Sequence, residues 1–238
     1  MKSLKQRIQE SILGSTKTGK NMLTWKWLED NLNYSSDDLE KRMEIDSNGK
    51  IVNKGTWNID IVLNNYNITA IPDYVQFGEI KTSMHLGNSA NKLKDNQIGY
   101  VENLYIAGNT KKLENRTFNL GSSFIVEGPQ EDFEEIKNLT LNFARKIGKI
   151  SLSLTNIDLK SFNEIHTNAY RIEIEKTPAA QELVKKIRKV QKTATTPEAL
   201  DEFFKQTLPN IQPSTRFIKL SNRTTIEQNP KNGHWYVF

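Results

Sequence analysis

Cysteine is absent from this 238-residue chain, and that absence removes disulfides, thiolate nucleophiles and cysteine metal sites together. Zinc fingers and cysteine proteases are excluded with it. Long apolar runs are missing as well: the stretches 59–63 and 147–154 are short and interrupted, far below the roughly 20 residues of a bilayer-spanning helix. No membrane partner is expected. Only three histidines occur, His85, His166 and His234, and none stands at a two-histidine ligand spacing, so neither a metal nor a cofactor is expected. Hydrophobic residues amount to 36%, with a mean hydropathy of -0.63, which predicts a thin core in a chain that still folds. The opening MKSLKQRIQESILGS places Gln6, Arg7, Gln9 and Glu10 where a secretory signal needs an unbroken apolar segment. Export by a cleaved signal is therefore not expected.

Charge is present in excess, and its distribution matters more than its sum. The net charge is +5 and the pI about 9.2. Lys2, Lys5, Arg7, Lys17 and Lys20 crowd the first segment against Glu10 alone, an acidic stretch follows over 29–46, and Lys185, Lys186, Arg188, Lys189 and Lys192 form a second basic cluster. Leu4, Ile8, Ile12 and Leu13 recur at helical spacing. With Gly14 and Ser15 as a break, residues 1–21 read as a basic amphipathic arm ending in a flexible STKTGKN linker.

Residues 22–56 read as a small helical region with a hairpin. Leu23, Trp27, Leu28 and Leu32 suit one helix, Ser36 and Asp37 can cap a second containing Leu39 and Met43, and Asp46 to Gly49 turn between strands around Glu44 and Ile51. Residues 57–176 are β-rich, with candidate strands at 59–63, 83–86, 103–107, 123–127, 138–143, 150–154 and 169–174. The first four recur at roughly 20 residues, a leucine-rich-repeat spacing, and Asn64-Asn65, Gly87-Asn88 and Gly108-Asn109 follow three of them. IVLNNYNITAIPDYV comes nearest to a repeat unit, through Ile61, Leu63, Ile68, Ile71 and Pro72. Residues 177–238 begin with a helix at Pro178 carrying Leu183, Val184, Ile187 and Val190 on one face, then one at Pro197, then strands joined through Asn229-Pro230 and Asn232-Gly233. The aromatic end, Trp235, Tyr236 and Phe238, is expected to pack against another part of the protein. The fold class expected is α+β: N-terminal helices, a central degenerate stack of short strands, C-terminal helices and a terminal β-hairpin.

GSTKTGKN satisfies the G-x-x-x-x-G-K portion of a P-loop through Gly14, Gly19 and Lys20, but a helical pattern precedes it and Asn21 stands where magnesium needs Ser or Thr. It is read as linker. Asp132, Glu134 and Glu135 read as a solvated charged face or helix start, and no residues are assigned to catalysis. Lys185, Lys186, Arg188, Lys189 and Lys192 are candidate nucleic-acid contacts, since lysines on one stripe can neutralise phosphates; a solvated helix face is the alternative.

The opening MKSLKQRIQESILGSTKTGKN, with TWKWLEDN and IDIVLNNYNITAIPDYVQFGEI, resembles leucine-rich-repeat-like proteins encoded by large tailed phages of gut Bacteroidetes, crAss-like phages among them. The resemblance is most specific over the first tenth of the chain. It implies a phage-encoded component of the virion, located in the particle or the bacterial cytoplasm, whose partners are other virion proteins. Degenerate repeats and a basic C-terminal helix depart from regular members. Three functional readings follow: a non-enzymatic virion-associated protein docked through Leu4, Ile8, Ile12 and Leu13; a free repeat module binding a host protein or glycan through Asn64, Tyr66, His85 and Tyr105; and an enzyme whose carboxylates only the fold assembles. The first is favoured, with nucleic-acid binding by the basic segments as a further alternative.

If the arm inserts its apolar stripe into a protein groove, each buried side chain contributes roughly 1.5 to 3 kcal/mol. Ile8→Asp with Ile12→Asp should then abolish incorporation into particles, whereas Lys17→Gln with Lys20→Gln should weaken it only slightly. Quantitative mass spectrometry of purified particles reads both, and the reverse ranking assigns the arm to phosphate contacts.

Overall fold

The computed structural model describes residues 17–54, 59–65, 67–107, 110, 112–127, 135–153, 155–193, 196–211 and 214–238. Leu4, Ile8, Ile12, Leu13 and Tyr66 lie outside them. Helix α1 runs from Lys17 to Asn31, so it starts inside the stretch expected to be a linker. Gly19 is buried four residues before Leu23, on the stripe that continues through Thr24, Leu28 and Leu32. The glycine is therefore a packing position on a helix face rather than a break. Helix α2, Ser36–Arg42, is capped by Ser35, whose hydroxyl accepts the Asp38 N–H, one residue earlier than expected. Met43 falls outside the helix and opens β1.

Strands β1 (Met43–Ile45) and β2 (Ile51–Asn53) form the expected hairpin. Asp46 Oδ1 accepts from the N–H groups of Asn48 and Lys50 at 2.8 and 2.9 Å, and Gly49 supplies the positive φ that the turn needs.

Beyond the hairpin the strands stack in parallel: β3 (Ile61–Leu63), β4 (Phe77–Leu86), β5 (Ile98–Ala107), β6 (Lys112–Glu127), β7 (Glu135–Phe143), β8 (Lys149–Ser151), β9 (Ile165–Thr167) and β10 (Arg171–Glu173). The sheet is forked. The first halves of β4, β5 and β6 belong to a limb with β2, β7 and β9, and their second halves to a limb with β3, β8 and β10. Register shifts between Ile80 and Ser83 and between Val101 and Asn103 mark the fork. Such bulges bend a strand and free N–H groups. At β4 those of Lys81 and Ser83 are received by Asn53 Oδ1 and Asp60 Oδ1.

The bulges also explain why only the second halves of β4, β5 and β6 were legible as strands. Burial runs Phe77, Ile80, Met84, Leu86 in β4 and Ile98, Val101, Leu104, Ile106 in β5. The spacing of three at the β5 bulge, Val101 to Leu104, and that from Phe77 to Ile80 just before the β4 bulge break the period of two on which strand recognition rests. Glu135 begins a strand and not a helix. Strand β9 went unrecognised because polar residues flank its single buried pair, Ile165 and Thr167, and leave no apolar alternation to read.

In the second limb the inward residues stand in register: Ile61, Met84, Leu104, Phe124, Ile150 and Ile172, all buried. Hydroxyls and an amide satisfy carbonyls between the turns. Ser89 donates to Leu63 O, Thr110 to Gly87 O, Thr167 to Leu141 O, and Gln97 Nε2 to Ile71 O, Pro72 O and Val75 O. Buried backbone acceptors require such partners.

A short helix α3 (Leu159–Asn163), then α4 (Pro178–Thr193) and α5 (Pro197–Thr207), cover the later turns. Leu183 and Ile187 are buried as the periodicity predicts, while Val184 and Val190 are half-buried. The chain closes with β11 (Phe217–Ser221), parallel to β10, and the antiparallel β12 (Thr224–Gln228) and β13 (Trp235–Val237). The terminal hairpin is thus a three-stranded addition to the stack, with a two-residue turn at Asn222-Arg223. Trp235 packs on Phe204 with ring centroids 5.5 Å apart, whereas Phe238 is 68% exposed and does not close the core.

Phe124→Ala should cost about 3 to 5 kcal/mol, because a stacked core side chain leaves a cavity that neighbouring turns cannot collapse to fill. Thr117→Ala, exposed on the outside of β6, should change stability by no more than about 0.5 kcal/mol. Urea unfolding of the two variants separates inner from outer positions.

Candidate binding face

Alternation along the second limb turns every other side chain away from the core. Val62, His85, Tyr105 and Ile125 stand opposite one another on successive strands and form one outward row. Ser83, Asn103 and Ser123 form the row beside it. Adjacent strands lie about 4.8 Å apart, so aromatic residues in register can stack. His85 and Tyr105 do, with ring centroids 4.4 Å apart and planes within 4°. One face of each ring is spent on the other, and Val62 and Ile125 stand beside the opposite faces in the same row, so the ring edges point outward. Among the described residues neither the imidazole nitrogens nor the Tyr105 hydroxyl has a hydrogen-bond partner. Val62 is 44% exposed at one end of the row.

Further along, the same rows change character. Ser151, Glu173 and Lys219 continue the first, and Lys149, Arg171 and Phe217 the second. Lys149 and Arg171 reach Glu173 at 2.9 and 2.7 Å, and the Arg171 guanidinium lies 4.2 Å from the Phe217 ring centroid. Burial alone would raise the Glu173 pKa, but hydrogen bonds from Lys149 and Arg171 outweigh it and hold the carboxyl below its ordinary value. Lys219 pairs with Glu175. Every cation in this half is therefore paired within the fold, two of them sharing Glu173, while the His85–Tyr105 half holds no lysine, arginine or carboxylate.

At the bend between the limbs Glu102 collects three donors: Tyr100 Oη at 2.8 Å, Ser122 Oγ at 2.5 Å and Arg145 at 3.1 Å. Burial first, and then the Glu102 carboxylate, push Tyr100 up to about 12. A Cβ on Gly121 would lie 2.1 Å from Glu102 Oε2, so the cluster exists because β6 has a glycine there.

The remaining residues singled out by sequence lie elsewhere. His166 is exposed on β9. His234, before β13, has Nδ1 2.6 Å from Asp201 Oδ2, and this hydrogen bond raises its pKa. The other oxygen of Asp201 accepts from the Trp235 N–H. Asp201 borders an apolar cavity of about 330 Å³ walled by Phe204, Leu208, Ile218 and Trp235, but both its oxygens are engaged in holding β13 to α5. Gly19 and Lys20 lie inside α1, not in a phosphate-binding loop. The basic cluster lies on α4 and is divided: Lys186 pairs with Glu182 at 3.0 Å and faces α3, whereas Lys185 and Arg188 face the β11–β12 turn. Sequence reasoning named His85 and Tyr105 but missed Val62 and Ile125, whose near-equal separations were the available signal.

By class, this is a mixed α and β chain built on a solenoid-like stack of parallel strands. No protein-family model, no curated protein and no solved structure significantly matches it. No helix among the described residues is long and apolar enough to cross a membrane.

Because the Glu173 carboxyl titrates lower folded than unfolded, its stabilisation is complete above its ordinary value of 4.5 and fades as pH falls through the folded value. The stability difference between wild type and Glu173→Gln, measured by urea unfolding, should hold from pH 7 to 5 and shrink below it.

Proposed function

We propose that this chain is a non-enzymatic, leucine-rich-repeat-like binding scaffold that takes a polypeptide partner on the outward row Val62, His85, Tyr105 and Ile125. The observation that carries it is the aromatic strip, without lysine, arginine or carboxylate, held rigid by the stack and left with free polar edges. Aromatic anchors with low side-chain entropy are the residues on which protein interfaces concentrate their energy. A sugar ring stacks on an exposed aromatic face, and here one face of each ring is covered by the other while Val62 and Ile125 flank the opposite faces. A polypeptide can pack against ring edges and supply hydrogen bonds to an imidazole and a phenol. Virion proteins remain the proposed partners, on the resemblance of the opening segment, and the particle or bacterial cytoplasm the proposed location.

A photo-cross-linking residue in place of Val62 should join the protein to a defined polypeptide in purified particles. His85→Ala with Tyr105→Ala should lower affinity for that polypeptide by about 10- to 100-fold, as expected for two interface anchors, with little change in the urea midpoint. Cross-links from a position on α4 but none from position 62 would overturn the assignment of the face, and absence from particles would overturn the virion role.

A further inference from the structure

Helix α4 and the β11–β12 turn enclose a groove of about 570 Å³ whose floor is Ala180, Val184 and Leu220. Its walls carry Lys176, Lys185 and Arg188 from one side and Arg223 from the other. Lys189 and Lys192 extend the stripe along α4, since positions 185, 188, 189 and 192 share one helical face. None of these six cations forms an ion pair with a described residue, and all six are exposed. The two nearby carboxylates are already matched, Glu175 by Lys219 and Glu182 by Lys186. The six unmatched cations gathered here thus exceed the net charge of the whole chain, +5. Lys176 moreover holds a left-handed backbone, φ +58, uncommon for a lysine, immediately before the helix.

We propose that this groove is a binding site for the phosphodiester backbone of a nucleic-acid duplex. From Lys185 to Lys192 the stripe spans about 10 Å at 1.5 Å per residue, while a duplex offers one charge per about 1.7 Å of its axis. Several phosphates therefore fall within reach of the stripe and of Arg223 across the groove. No aromatic residue lines the groove, so bases have no stacking platform and a single strand has no advantage. Binding is thus to the backbone and independent of sequence. The site is separate from the His85–Tyr105 strip and does not depend on it.

Fluorescence anisotropy of the full chain with a labelled mixed-sequence DNA duplex tests this. Contact with about four phosphates predicts roughly 100-fold weaker binding between about 50 and 200 mM salt. Arg223→Gln, and Lys185→Gln with Arg188→Gln, should each weaken binding equally on two unrelated sequences and lower the salt slope by about one per cation removed. Lys186→Gln, and His85→Ala with Tyr105→Ala, should leave both unchanged. Absence of binding at low salt, a slope indifferent to Arg223, tighter binding of single strands, or equal competition by polyglutamate would each overturn the proposal.

Discussion

Stacking of one buried aliphatic or aromatic side chain on the next, from Ile61 through Met84, Leu104, Phe124, Ile150 and Ile172 to Ile218, is the contact on which the rest of this structure depends. A single turn of about 20 residues cannot bury its own inner face, so each is stable only against its neighbours. Two requirements follow, and both are met locally. Carbonyls at the turns need donors, which Ser89, Thr110, Thr167 and Gln97 provide from inside the stack. The ends need closing: Leu28 of α1 and Leu39 of α2 join the core at one end, while β12 and β13 reverse direction at the other.

The same registration fixes the outer surface. Inner residues that repeat in register oblige the outer ones to do so, and rows of like position run across the strands as a consequence. Where those rows hold His85 and Tyr105 the result is a ring stack; where they hold Lys149, Arg171 and Glu173 it is an ionic cluster in which two cations share one carboxylate. The bulges that fork the sheet add the Glu102 cluster, because the bend brings Tyr100, Ser122 and Arg145 around one carboxylate beside Gly121. A uniform sheet has no such corner.

Charge is organised on a longer scale. Ions on the strand faces pair with one another, and a stripe of six cations that form no ion pair with a described residue runs along α4 and the β11–β12 turn. An amphipathic helix docked on the last turns can present them because Leu183 and Ile187 anchor its other side. The His85–Tyr105 edges and this basic stripe thereby lie on different elements, the strands β4 and β5 and the helix α4.

The sequence by itself determined the element types wherever a periodicity ran unbroken. The helices at Pro178 and Pro197, the 46–49 turn and the second halves of β4 to β6 were legible because burial there follows one period and capping or turn residues are local. The helical residues 17–21 were misread because a buried Gly19 and a flexible glycine look alike in one dimension. Long strands were cut short because a bulge shifts the phase of alternation, and the partners that satisfy it, Asn53 and Asp60, stand more than twenty residues away. Only the tertiary structure decided which residues meet. His85 and Tyr105 stack and Arg223 faces Arg188, because those outcomes depend on strand register and helix orientation, which are set by how the whole core packs rather than by any local stretch of chain.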